Sequence, residues 1–287
     1  MPVIFVPVAD RPECAIALRA AFDLGERLEA NVIGCHMRPH RASKVSLSSD
    51  FGARYLDRHS EVADEAWRKK HHIKAGDAAR ALYARMAEKH GFAFIRKPRL
   101  KPGAIWQEKV GSPGRLIHIM GPVSDLLVVS RPAATGVDIA RAFLMSALME
   151  SSRPVLVLPQ RGFRKIGRRV CIGWNQGEEA ARAVTDSMPV LQRAEKVTIV
   201  SCGPEDRLGP KSGQLADYLR SWGIDADRLA TRGRNVEKEL LEAYRKTQSD
   251  VLVMGAYSRN RWREHVFGGT SEFMLSRAKI PVLMLHS

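Results

Sequence analysis

The residues whose types and spacing best fit a chemical task lie near the carboxyl end, in Gly255-Ala256-Tyr257-Ser258, nine further residues, and Gly268-Gly269-Thr270-Ser271. Glycines at a strand exit let a ligand approach the backbone closely. Amides opening the next helix, with the hydroxyls of Thr270 and Ser271, can receive a phosphate. Arg259, Arg261 and Arg263 in the intervening stretch would balance its charge. The same residues also fit a plainer reading, in which Thr270 or Ser271 caps the helix and the arginines are solvated. Neither a Walker A sequence nor G-x-G-x-x-G is present. Trp174 and Asn175 follow an earlier apolar run and offer a ring for a base and a hydrogen-bonding amide.

Covalent or acid–base chemistry finds less support. Asp10, Asp250, Glu264 and His265 are available, but no serine or cysteine stands in a nucleophile elbow or triad spacing. Cys14, Cys35, Cys171 and Cys202 form no CxxC pair and have no histidines at zinc-finger spacing. No catalytic residue and no metal ligand is assigned, and the thiols read as reduced core residues.

The elements that must position the candidate residues appear twice. Ser249–Asn260 (SDVLVMGAYSRN), a helical stretch and Lys279–Ser287 echo Ser124–Thr135 (SDLLVVSRPAAT), a helical stretch and Ser152–Gln160. Val3–Phe22 is answered by Arg168–Val184, so a module is duplicated around a joining segment, Arg161–Gly167. Strands are expected at Val3–Val8, Asn31–Met37, Ala104–Val110, Leu126–Ser130 and Val155–Leu158. The second set is Arg169–Gly173, Lys196–Ser201, Arg228–Arg232, Asp250–Met254 and Pro281–Leu285. Helices are expected at Glu178–Gln192, Gln214–Trp222 (Leu215, Leu219 and Trp222 inward), Val236–Thr247 and Thr270–Arg277. Uninterrupted apolar runs such as VLVM and VLML suit parallel sheets covered on both faces. About forty extra residues, within Pro39 to Gly103, read as a surface elaboration with a helical stripe Ala75, Ala79, Leu82, Met86.

On these motifs the chain resembles the universal stress protein family in its tandem two-domain form. The resemblance implies an α/β fold of two Rossmann-like, flavodoxin-like doubly wound domains, 1–160 and 161–287, each with a five-stranded parallel sheet ordered 3-2-1-4-5. Some members bind ATP through G-x-x-G-(nine residues)-G-S/T after strand four. Gly255 and Gly268 match; Ser258 replaces the second glycine and Gly269 stands where Ser or Thr is expected. The acidic residue after strand one corresponds to Asn175 in the second half, and Asp10 lies one residue late in the first. The first half exits strand four as Ser130-Arg131-Pro132-Ala133, without the glycine pair, so its phosphate loop is missing. The implied ligand site is therefore one degraded nucleotide pocket in the second half, comprising Trp174, Asn175, Gly255, Ser258, Arg259, Gly268, Gly269, Thr270 and Ser271, with ATP as the candidate ligand. The apolar fifth strands, Pro154–Leu158 and Pro281–Leu285, are sheet edges that can pair internally, and a further homodimer is compatible with the family.

Across 287 residues the formal net charge is +15 and the hydrophobic share 45%. Wholesale disorder is excluded, no apolar stretch is long enough to span a bilayer, and the amino terminus lacks the features of a secretory signal. The expectation is a cytoplasmic, non-enzymatic stress-response protein without a membrane partner. Alternatives are a basic adaptor for nucleic acid or an acidic protein surface, and a weak ATP-hydrolysing or adenylate-transferring enzyme.

Overall fold

The computed structural model describes residues 2–9, 11–38, 65–132, 137–161, 165–256 and 269–286. The first half runs β1 (Val3–Pro7), α1 (Pro12–Leu28), β2 (Asn31–Arg38), α2 (Glu65–Lys89), β3 (Gly103–Val110), α3 (Pro113–Met120), β4 (Leu126–Ser130), α4 (Val137–Glu150) and β5 (Val155–Leu158). The second runs β6 (Arg169–Trp174), α5 (Glu178–Asp186), α6 (Met188–Leu191), β7 (Lys196–Cys202), α7 (Ser212–Ser221), β8 (Ala226–Thr231), α8 (Val236–Lys246), β9 (Val251–Ala256), α9 (Gly269–Ser276) and β10 (Val282–His286).

All ten strands form one sheet in the order β3-β2-β1-β4-β5-β10-β9-β6-β7-β8. Each half thus carries the order 3-2-1-4-5. Neighbours within a half are parallel, and the seam between halves is antiparallel, with Val282 opposite Val157, Leu283 opposite Leu156 and Met284 opposite Val155. Pairing the two apolar fifth strands satisfies backbone groups that would otherwise be exposed edges.

The strands around the seam, β4, β5, β9 and β10, are buried on both faces, which explains their unbroken apolar runs. Ile4 and Val6 enter one core layer with Val128, Leu156, Ile172, Val253 and Leu285. Phe5 enters the opposite layer with Leu127, Val155, Leu252, Met254 and Met284. Both layers run through the seam. The repeated Ser-Asp before the fourth strand has a structural reason. Asp125 accepts the Val3 amide at 2.7 Å, and Asp250 accepts the amides of Gly167, Arg168 and Arg169 at 2.7, 2.9 and 3.1 Å. Each carboxylate ties the start of its half's first strand to the start of its fourth. Burial pushes the Asp250 carboxyl up, against the downward pull of these three amides.

Three sequence expectations need correction. The single helix expected over Glu178–Gln192 is two, α5 and α6, separated at Ser187, because Pro189 has no N–H to continue the ladder. Trp222, expected inward, is 49% exposed at the end of α7 and lies edge-on to Tyr218. Helix α2 is core structure rather than surface elaboration. Its inner face is Gly76, Ala79, Tyr83 and Ala87, with only Ala79 of the expected stripe fully buried. Tyr83 donates its hydroxyl to the Val32 carbonyl at 2.7 Å. Its ring lies on Gly34, where a Cβ would sit 2.4 Å from two ring carbons.

Two arginines tie the halves together. Arg27, at the end of α1, donates to the carbonyls of Ile166, Gly167 and Arg193 at 2.5, 3.0 and 2.7 Å. Arg131, just past β4, donates to the carbonyls of Leu275, Ile280 and Met274 at 2.8, 3.2 and 2.6 Å. Arg131 therefore satisfies the carboxyl end of α9, where last-turn carbonyls lack intrahelical donors.

Candidate site at the strand ends of the second half

In an open α/β sheet a ligand binds beyond the carboxyl ends of the strands where strand order reverses. In the second half this point lies between β6 and β9, which are neighbours in the sheet. Trp174 ends β6, and it is 5% exposed within the core, its indole N–H donated to the Pro210 carbonyl at 2.9 Å. Its ring is therefore a buried wall under the mouth, not the open stacking surface that the sequence suggested. Asn175 is exposed and accepts the Gly177 amide on its side-chain oxygen at 3.0 Å. This short turn leads directly into α5.

Gly255 has a different reason to be glycine. A Cβ there would lie 2.7 Å from the Ala180 nitrogen and 2.7 Å from the Glu179 carbonyl carbon. The first turn of α5 crosses the exit of β9, and only a glycine leaves room. The close approach is to the protein's own backbone.

Gly269, Thr270 and Ser271 open α9 on the other face of the sheet from Trp174. The Thr270 hydroxyl donates to Glu237 Oε1 at 2.9 Å, and Ser271 is buried. Glu237 belongs to the first turn of α8, so a carboxylate stands beside the hydroxyl that a phosphate would use. Ser258, Arg259 and Gly268 lie outside the described residues, as do Asp10, Arg261, Arg263, Glu264 and His265. Among the described candidates, then, Trp174, Asn175 and Gly255 cluster at the β6 and β9 exits. Gly269, Thr270 and Ser271 flank the opposite side of the same sheet end.

Residues that the sequence did not single out shape the rim. Gln176 takes a left-handed φ of 62°. Its amide donates to the Arg207 and Gly209 carbonyls at 3.0 and 3.1 Å and accepts the Arg207 amide at 3.2 Å, which pins the segment after β7 beside the mouth. Glu205 accepts the Ser201 hydroxyl at 2.7 Å and the Ser212 amide at 2.8 Å. Burial pushes its carboxyl up, but these bonds and the charge of Arg228 leave it below the usual range. Glu239 accepts the Thr231 hydroxyl and the amides of Gly233, Arg234 and Asn235. The Thr231 bond, followed by the amides, lowers it to about 2. Both carboxylates are ionised and occupied by donors at neutral pH, so they order loops rather than move protons. Their donors are sequence neighbours, all within eight residues, but no periodicity or motif marks the turns that bring them round. Among the described residues no cluster of His, Cys, Asp or Glu could hold a metal ion.

At the equivalent point of the first half, where sequence gave no expectation of a pocket, there is a cavity of about 60 Å³. Its walls include Pro7, Ala9, Cys14 and Ala17 on one side and Val129, Ser130 and Phe143 on the other. The Ser130 hydroxyl is buried without a hydrogen-bond partner among the described residues.

Comparison with known proteins follows this geometry closely. The model of the universal stress protein family matches residues 175–286, from the turn after β6 to the end of β10. The second half thus resembles the universal stress protein family over nearly all of its length. Likeness to solved structures extends the fold to the whole chain. A universal stress protein from Archaeoglobus fulgidus DSM 4304 matches with a TM-score of 0.71 and 15% identity, over 99% of this chain and 98% of that one. A Pseudomonas aeruginosa UCBPP-PA14 protein provisionally assigned as a universal stress protein matches with a TM-score of 0.57 and 14% identity, over 100% and 93%. Comparison with curated protein sequences gives no match. The same doubly wound fold is thus present twice, with strand order 3-2-1-4-5 on each side of the β5–β10 seam.

Proposed function

We propose that this chain is a non-enzymatic universal stress protein that binds an adenine nucleotide or similar small phosphorylated ligand at the second half's switch point. The observation carrying this reading is the coincidence of the family match with the β6 turn, the β9 exit and the start of α9. Gly269, Thr270 and Ser271 open α9, and the amides of a helix N-terminus favour an anion. Glu237 sets the affinity: its bond to Thr270 must be exchanged for the ligand, and its charge opposes a phosphate. On this reading domains 1–160 and 161–287 work together in the cytoplasm, and the occupied carboxylates of the rim take no part in proton transfer.

Calorimetric titration with ATP, ADP and AMP, with and without magnesium, tests the reading. Binding should be weak, and Glu237→Gln should tighten it about threefold to fivefold by removing one charge at roughly 5 Å in high dielectric. Gly268→Asp should abolish it. No heat with any adenine nucleotide overturns the proposal. The first-half cavity supports a second reading, a small ligand held beside Ser130. In that case Ser130→Leu would abolish binding and Gly268→Asp would not.

A further inference from the structure

The segment leading into β3, Ala93–Pro102, lies at one edge strand of the sheet, six strands along from β9, and carries an unusual surface. Between Glu88 and Glu108 the chain has no acidic residue, while Lys89, Arg96, Lys97, Arg99 and Lys101 supply five cations. Arg96, Lys97, Arg99 and Lys101 are all exposed, and none makes an ion pair among the described residues. In their midst Leu100 is 87% exposed, and Phe94 is 54% exposed.

This segment is built, not loose. Ile95 donates to the Ala104 carbonyl and Ala104 to the Ala93 carbonyl, both at 2.9 Å. Asn31, a buried side chain on β2, donates to the Arg99 carbonyl at 2.8 Å. Gly103 lets Ile95 fold underneath, since a Cβ there would lie 2.3 Å from the isoleucine Cδ1. Pro98 and Pro102 restrict the chain on either side of Leu100. An exposed leucine is thereby held outward between Arg99 and Lys101 at little further entropic cost.

We propose that Ala93–Pro102 is a contact site for anionic lipid headgroups at a bilayer surface. The four cations meet headgroup phosphates, and Leu100 enters the acyl boundary. A nucleic acid would use the same cations but has no use for an aliphatic tip. The aromatic ring in the segment, Phe94, is docked edge-on against Tyr83, with centroids 5.9 Å apart, and the outermost side chain, Leu100, offers no ring on which a base could stack. An amphipathic basic surface with an aliphatic anchor is what an anionic membrane interface recognises. The nearby acids are partly engaged: Asp125 holds the Val3 amide and Asp23 pairs with His90 at 3.6 Å. Glu29 remains exposed at the turn into β2. The sequence expectation of no membrane partner rested on the lack of a spanning segment, and no helix among the described residues is long and apolar enough to cross a membrane. A surface contact needs none.

Co-sedimentation of the full chain with vesicles decides the matter. Phosphatidylcholine vesicles with about one third phosphatidylserine should bind it, and pure phosphatidylcholine vesicles should not. Arg99→Gln and Lys101→Gln should each weaken binding about fivefold, and Leu100→Gln at least about tenfold. Circular dichroism and melting should be unchanged, since these side chains are exposed. Leu100→Trp should add a blue-shifted emission component on anionic vesicles, a signal that gains rather than loses. Gly268→Asp should leave vesicle binding intact, separating this site from the nucleotide proposal. Equal binding to both vesicle types, or none, overturns the inference. So does binding of a single-stranded oligothymidine that depends on the cations but not on Leu100, with vesicles left unbound.

Discussion

Arg131 offers the sharpest test of how the two halves are joined. It occupies the place where the second half has its Gly255-containing strand exit, yet the residue is 8% exposed and its guanidinium meets three carbonyls of the other half. Burial lowers its pKa to about 10, so the fold bears a cost for holding the charge, and no carboxylate among the described residues offsets it. Two effects therefore compete in Arg131→Met. Removing the cation relieves desolvation, which in buried ion pairs sometimes makes an apolar replacement stabilising. Against this, three hydrogen bonds to a charged donor are lost, each worth about 1.5–3 kcal/mol, and the Met274 and Leu275 carbonyls are left buried without donors. Methionine cannot satisfy them, so the second effect wins, by about 3 kcal/mol net after the desolvation relief. For a chain of 287 residues, the unfolding entropy per residue near the midpoint makes this a fall of about 5 °C in Tm. Arg131→Lys should recover part of it, because an ammonium reaches fewer of the three acceptors. Differential scanning calorimetry of the three proteins measures the shift. A methionine variant melting within about 1 °C of wild type, or above it, refutes the argument that these carbonyls need the guanidinium.

Stability should also fall in alkali through two buried thiols. Burial raises Cys35 and Cys171 from 9.0 to about 12, so above pH 9 the unfolded chain has shed protons that the fold retains. Stability is full below pH 9 and declines as pH rises. At pH 10 the loss is about 1.4 kcal/mol per thiol. Urea midpoints at pH 8 and pH 10 should show it, and replacing both cysteines by alanine should make that dependence shallower, the remainder coming from Tyr83, Tyr244 and Cys202, which burial also raises; an unchanged slope would contradict it. Gly255→Ala should destabilise by about 1–3 kcal/mol through overpacking against the first turn of α5. A normal Tm combined with lost nucleotide binding would instead return that glycine to the ligand.

Much of the architecture was written in local pattern. Doubly apolar strands, alanine-rich helices and the repeated Ser-Asp marked a duplicated α/β module, because strands buried on both faces and helices buried on one leave distinct periodicities. The matching VLVL and VLML runs also marked the seam, since two apolar edges of identical character have few other ways to be covered. What residue type alone did not decide was what each glycine, carboxylate or aromatic would meet. Gly255 accommodates a helix from the same half, Trp174 is spent on the core, and Thr270 already has Glu237. Arg131 looked like a damaged phosphate loop and is a strut between halves. Tyr83 sits in a stretch that reads as surface, and it fills the space above Gly34. In each case the partner is distant in sequence, and a contact between distant residues exists only once the sheet has brought them together.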